Sequence, residues 1–293
     1  MNLVRERAGR FPLEHRHDGL EQYRVGATQD RIPPFAVVRS YPVCERYGLL
    51  WVWMGDLGRA PECDVFQIDN HDNPQWHISR CDSLSVACHY LWLVDNLLDP
   101  SHVAWVHRSS FAGAGTDKTP LQITDDNQGV TSSRWLLNQP PPPYYAPLVK
   151  FRGNADRLQH YEVRYPALAI NKGVYTPAGK GGTGMPEQPD AYVMVSYHFL
   201  TPVDDNHTMY FWLQHRNTDP HDEAITQRNA AGAKAAFEED RAILEAVHMG
   251  MKNYATRGTG LLLDAAATRF RNGLAQRIAK ESGDQQAPGS GSL

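Results

Sequence analysis

Cysteine is scarce in this chain. There are four, Cys44, Cys63, Cys81 and Cys88, and their separations match neither a disulfide framework nor a zinc-ligand spacing, so a reducing compartment suits them. Long apolar runs are missing as well: none approaches the roughly 20 residues that a membrane-spanning helix needs. The opening Met1-Asn2-Leu3-Val4-Arg5-Glu6-Arg7 is charged and holds no apolar leader core, which makes the cytoplasm the expected location. An excess of one charge is also lacking. Lys and Arg number 29 against 33 Asp and Glu, a formal net charge of −4, so neither a nucleic acid nor an anionic membrane is expected as partner.

What is present is an ordinary globular balance, 41% hydrophobic and 21% charged residues over 293 positions, enough for one large domain or two small ones. The first thirty residues are polar and Arg-rich and predict no element. The β-rich runs at 37–43 and 49–53, with Gly48 between them, predict a hairpin. A loop follows over 55–64, and a domain boundary is expected near residue 60. Leu84, Ala87, Cys88, Leu91, Val94 and Leu98 recur at steps of three or four, which predicts a helix over 83–99 that bends or restarts at Pro100. Strands are expected at 129–137, 158–165, 191–200 and 208–215, with a stiff extended loop at the four prolines 140–143. Residues 222–252 predict a second helix, with Phe237, Ile243, Leu244 and Val247 as core positions. Residues 284–293 are polar and Gly/Ser-rich, which predicts a disordered tail. A helix, a long antiparallel stretch and a second helix make an α+β domain, with a cavity between sheet and helix suited to a small apolar ligand.

The segment richest in chemistry is Asp95-Asn96-Leu97-Leu98-Asp99-Pro100-Ser101-His102-Val103-Ala104-Trp105-Val106-His107. Neutral imidazoles suit iron, zinc and copper, and carboxylates complete or orient such sites. His102 and His107 are five apart, a spacing that a straight helix does not place on one stripe. A distortion near Pro100 would bring the rings to one point. On spacing alone, polar residues capping a helix end is an equal reading.

The pattern Asn-x-x-Asp-x-x-His-x-x-x-x-His, here Asn96, Asp99, His102 and His107, resembles the iron-binding signature of the Rieske non-haem iron oxygenases. Ile32-Pro33-Pro34, the run 38–43, Leu50-Trp51-Val52-Trp53-Met54-Gly55-Asp56 and the run 93–99 are similar to the vanillate O-demethylase and dicamba monooxygenase branch of that family. The resemblance covers about residues 31–250. It implies an α+β, helix-grip-like (Bet v 1/START-like) catalytic domain of antiparallel sheet plus helices over 61–283, preceded over 1–60 by the remnant of a small β Rieske domain. It also implies a mononuclear Fe(II) held by His102, His107 and a distant carboxylate, with Asp240 in Glu239-Asp240-Arg241 as the choice and Glu239 as the alternative. Without the resemblance, Asp240 is one of several acids on a helix. Asp99 matches the aspartate that links the iron to a neighbouring subunit's Rieske centre, and would orient His102. Asn96 matches a residue near the metal. His198 matches a substrate-contacting histidine, although a lone His in a β run also reads as a satisfied core residue.

The match fails at the cluster. A Rieske [2Fe–2S] centre needs two Cys and two His, which the family supplies as Cys-x-His and Cys-x-x-His, and this sequence has neither pair. His15 and His17, in an Arg-rich stretch, read as solvent-facing. A truncated or frame-shifted start, or loss of the domain, would each explain the gap. The resemblance implies an oxygenase component that activates O2 to hydroxylate or O-demethylate a small aromatic acid, with electrons from a ferredoxin or flavin reductase and a homotrimeric assembly. A chain without the cluster is expected to bind iron but to turn over little unless a separate Rieske protein supplies electrons. Two other readings stand beside it. One is a non-catalytic cavity that binds an aromatic ligand, with Trp92, Trp105, Phe111, Tyr144 and Tyr145 as wall candidates. The other is a zinc hydrolase, disfavoured by the missing i, i+4 His pair.

Overall fold

Helix α1 (Tyr90–Leu98) begins where His89, in extended conformation, accepts a hydrogen bond from the Leu91 amide through Nδ1. Its face of Leu93, Val94, Leu97 and Leu98 is buried, and it stops at Asp99, ahead of Pro100. A computed structural model places it and describes residues 2–6, 40–55, 65–116, 118–186, 188–252 and 260–283. The positions named above at 32–39, His15, His17, Cys63 and the tail 284–293 lie outside the described residues.

The chain divides into two compact units, Met1–Ile68 and Asp69–Leu293. The first contains a three-stranded antiparallel sheet of β1 (Asn2–Glu6), β2 (Val43–Arg46) and β3 (Leu49–Val52), with β3 central. The expected hairpin is β2–β3. Its turn is only Tyr47-Gly48, with φ of 61° and 71°, the left-handed pair that a two-residue hairpin loop requires. Cys44, expected in the turn, is therefore in the strand.

The second unit is an eight-stranded antiparallel sheet. Its members are β4 (His77–Ile78), β5 (Asp82–Val86), β6 (Gln122–Asp125), β7 (Gly129–Gln139), β8 (Ala155–Arg164), β9 (Leu168–Pro177), β10 (Tyr192–Asp204) and β11 (His207–Arg216). The order is β4-β11-β10-β9-β8-β7-β6, and β5 also pairs with β11. Residues 82–86 are a strand and not the start of the helix, because Leu84 and Val86 are buried while Ser85 is exposed, a period of two. Strand β9 was not expected, since Asn171-Lys172-Gly173 interrupts its apolar pattern.

Helix α3 (Glu223–Lys252) occupies the predicted second-helix span. Its buried stripe is Asn229, Ala233, Ala236, Asp240, Leu244 and His248. Of the expected core positions, Leu244 is buried and Phe237 packs against the core, but Ile243 and Val247 are exposed. A further helix, α4 (Ala265–Glu281), buries Ala266, Phe270 and Leu274 against the core built by α1 and the sheet. Among the described residues, no helix is long and apolar enough to cross a membrane.

The face of the sheet turned to the cavity is graded along the strands. Register puts Val163, Ala169, His198 and Trp212 in one row and Tyr161, Asn171, Ser196 and Gln214 in the next. Further along, Arg157, Tyr175 and Tyr192 form another row. One end is thus apolar and packs on α1 and α4, the middle is polar, and the far end is aromatic.

Candidate metal centre

The four-residue helix α2 (Val103–Val106) solves the i, i+5 problem. His102 precedes it with helical angles, and His107 leaves it with φ −103° and ψ 42°. The break after Pro100 and this exit turn both rings to the same side, with centroids 5.3 Å apart and edge to face. From the opposite wall, α3 presents Asp240, whose Oδ1 lies 3.2 Å from His107 Nε2 and 3.7 Å from His102 Nε2. One donor atom from each of the three residues falls within 4.8 Å of the others. His107 and Asp240 are buried and His102 is half-buried.

The remaining ring nitrogens are held from behind. Asp99 offers its backbone carbonyl to His102 Nδ1 at 2.5 Å, and Glu239 offers Oε2 to His107 Nδ1 at 2.8 Å. Each contact fixes the proton on Nδ1, so that Nε2 faces Asp240 as a lone-pair donor. Asp99 therefore orients His102 through its main chain. Its carboxylate accepts from the Ser101 amide at 2.8 Å and from the Ser101 hydroxyl. Burial alone would lower the His107 pKa, but Asp240 and Glu239 outweigh it and raise it above its ordinary value.

A metal ion suits this arrangement. Among the described residues, Asp240 Oδ1 is buried without a partner of hydrogen-bonding geometry, an arrangement that costs free energy unless something cationic satisfies the oxygen. Two imidazole nitrogens and one carboxylate oxygen on one side of a point are the donor set of a two-histidine, one-carboxylate centre. Glu239, the alternative, touches the far side of His107.

The three donors open on a cavity with about 690 Å3 of free space, part of it open to solvent. Asn96 and His198 also line it. His198 is buried, its Nδ1 lies 2.7 Å from the Tyr210 hydroxyl, and its Nε2 has no partner among the described residues. Burial pushes its pKa down to about 3. Of the aromatic wall candidates, Phe111 and Tyr145 line the cavity, and Tyr144 stacks on Phe111 at 4.1 Å. Trp92 packs on the core side and donates to His248 at 3.2 Å, and Trp105 is exposed, so neither is wall. Sequence reasoning missed Arg157, Gln159 and Asn171 in the cavity. Their signal, polar residues alternating along a strand, is what a solvent-facing strand also shows.

An antiparallel sheet folded around a long helix, with two imidazoles and a carboxylate gathered in the cavity between them, defines a cavity protein with a mononuclear candidate metal centre. The vanillate O-demethylase oxygenase C-terminal domain model matches residues 86–280. The chain is 37% identical over 224 residues to the iron–sulfur subunit of the toluene-4-sulfonate monooxygenase system of Comamonas testosteroni, covering 74% of this chain and 63% of that subunit. It is 30% identical over 269 residues to the vanillate O-demethylase oxygenase subunit of a Pseudomonas species, covering 90% and 75%. The crystal structure of dicamba monooxygenase bound to 3,6-dichlorosalicylic acid shares the fold with a TM-score of 0.76 at 22% identity, over 85% of this chain and 73% of that one. The chain belongs to the Rieske non-haem iron oxygenase α-subunit family, through its vanillate O-demethylase-type C-terminal domain. It spans a little under two thirds of the length of the toluene-4-sulfonate relative.

Proposed function

We propose that this chain is the substrate-oxidising part of an oxygenase component that hydroxylates or O-demethylates a small aromatic acid. The observation that carries the reading is the meeting of His102, His107 and Asp240 at the wall of a partly aromatic cavity. Residues 61–283 are assigned to this part, residues 1–60 to the end of a preceding small β domain, and 284–293 to a tail. The reaction consumes O2, two electrons and two protons. It gives a hydroxylated product and water, or, from a methyl ether, the phenol, formaldehyde and water. Two relatives are named for vanillate and toluene-4-sulfonate, both aromatic anions. A ferrous ion held by the three donors supplies the activation of dioxygen.

The chain's own residues do the rest. Asp99 and Glu239 hold the two imidazoles in the tautomer that presents Nε2. Phe111, Tyr145, Leu97, Val103 and Phe237 exclude bulk water from the reacting position. His198, kept neutral by burial, offers a polar edge to the substrate through Nε2. Asn96 stands beside the donors on the same wall. Electrons come from a ferredoxin or flavin reductase through a Rieske centre, whose Cys-x-His and Cys-x-x-His ligands this sequence does not contain. In a homotrimer, Asp99 lies next to His102 on the route by which those electrons arrive. The cytoplasm supplies both reductase and reduced thiols.

The test is substrate-dependent O2 uptake by the ferrous protein, with a reductase and a separate Rieske protein as electron source and an aromatic acid as substrate. Incorporation of 18O into product, or release of formaldehyde, supports the proposal. Iron-loaded protein that binds the aromatic acid but consumes no O2 with electrons supplied favours a non-catalytic binding cavity instead.

A further inference from the structure

We infer that Arg157 and Gln159 form an anion-binding subsite that seats the acid group of the substrate at the aromatic end of the cavity. This deepens the reading above and rests on the cavity being the substrate pocket.

Both residues are on β8, two apart, and their side chains point to the same face. Both line the cavity and are almost wholly buried, at 6% and 1% exposure. Arg157 makes no ion pair among the described residues. One of its guanidinium nitrogens, Nη1, reaches the Phe111 carbonyl at 3.4 Å, and its Nε has no partner among the described residues. The guanidinium instead lies 5.4 Å from the ring centres of both Tyr145 and Tyr175, whose aromatic faces offset part of the cost of its burial. Asp156, its neighbour in sequence, is engaged elsewhere, accepting from the Asn138, Gly179 and Gly181 amides. Asp240, the carboxylate that lines the cavity, faces the two histidines.

Gln159 is oriented so that it adds a donor. Arg134 donates to Gln159 Oε1 at 2.7 Å, which fixes the amide's orientation and leaves its buried Nε2 without a partner among the described residues. A buried cation and a buried amide, side by side and each with one donor nitrogen unpaired among the described residues, ask for an acceptor carrying negative charge. A carboxylate or sulfonate offers two or three oxygens and fits that demand, whereas a neutral amide brings N–H groups against donors. Phe111 joins this subsite to the metal donors: its carbonyl meets Arg157, and its ring centre is 5.9 Å from that of His107. A ring anchored by its acid group at Arg157 therefore extends toward the two imidazoles, and the position oxidised is on the side remote from the acid.

The experiment is calorimetric binding to the full chain of two pairs of probes: 4-methylbenzenesulfonate against 4-methylbenzenesulfonamide, and 4-methylbenzoate against 4-methylbenzamide. The wild type is expected to bind each anion at least about tenfold tighter than its neutral partner. Arg157→Gln should weaken the anions about 30-fold, which is about 2 kcal/mol, and leave the amides within about threefold. Gln159→Leu should weaken the anions by a smaller factor of about five, for the loss of one donor. Equal binding of anion and amide by the wild type overturns the subsite, as does an anion preference that survives in Arg157→Gln. Should Arg157→Gln fail to fold by circular dichroism, the wild-type comparison and Arg157→Lys decide, the latter keeping charge but losing the fork and so part of the preference. Ferrous content is measured on the same samples. Anion preference without iron separates a failed metal centre from a failed subsite, and iron without anion preference does the reverse.

Discussion

Replacing Glu239 by Gln removes one charge from behind His107 while leaving an oxygen able to accept from Nδ1. The contact is 2.8 Å, and a carboxylate there makes the imidazole a better donor to a metal. Outer-shell partners of this kind cost about 10–100-fold in metal affinity when lost. The Glu239 side chain is 45% exposed, so water screens part of its charge and the lower end applies. The expected loss is about tenfold, or about 1.4 kcal/mol. The assay is an anaerobic titration of Fe(II) or Co(II) against a competing chelator, on wild type, Glu239→Gln and Glu238→Gln. Glu238 is the control, since it pairs with Arg241 at 2.6 Å and its replacement removes the same charge without touching His107. Equal affinities for the two variants would refute the orienting role. A loss above about a thousandfold would show instead that Glu239, not Asp240, binds the metal.

Two further outcomes follow from burial. His198 has its pKa pushed down to about 3, so below about 6.5 the unfolded chain takes up a proton that the folded chain refuses. Its contribution to stability is complete above pH 6.5 and is lost as pH falls from there toward 3, about 2 kcal/mol between pH 7 and 5. Urea midpoints of the metal-free protein should show that part of the acid slope vanishing in His198→Gln, and parallel slopes would contradict it. Phe270 on α4 is fully buried and stacks on Tyr165 at 4.7 Å. Phe270→Ala should cost about 3–5 kcal/mol in the same denaturation experiment, and a loss under about 1 kcal/mol would show that α4 is not docked as described.

The residues that carry the fold were legible where burial and hydrophobicity coincide. Helix α1 is one such case, because Leu93, Val94, Leu97 and Leu98 are both apolar and buried. The pattern misled where a cavity intervenes. On α3 the inward stripe includes Asn229, Asp240 and His248, while Ile243 and Val247 face out. Apolar periodicity therefore placed Leu244 and Phe237 correctly but took Ile243 and Val247 for core, and Asp240 was visible only through resemblance to a family. The same inversion hid Arg157 and Gln159, whose polar alternation along β8 reads as a solvent-facing edge. The i, i+5 histidines were legible as a pair but not as a site, since their convergence depends on the chain exit at His107. The strand 82–86 was lost to a helix reading because Leu84 and Cys88, four apart, also suit a period near 3.6.

His102, His107 and Asp240 are proposed to hold one metal ion between them. Anaerobic reconstitution with ferrous ion, followed by desalting and metal analysis, tests it directly when run on wild type, His102→Ala, His107→Ala and Asp240→Asn, with folding checked by circular dichroism. Close to one iron per wild-type chain is expected, and almost none in each folded variant. Stoichiometric iron retained by a folded His102→Ala, His107→Ala or Asp240→Asn variant, or a wild type that holds none, would contradict it.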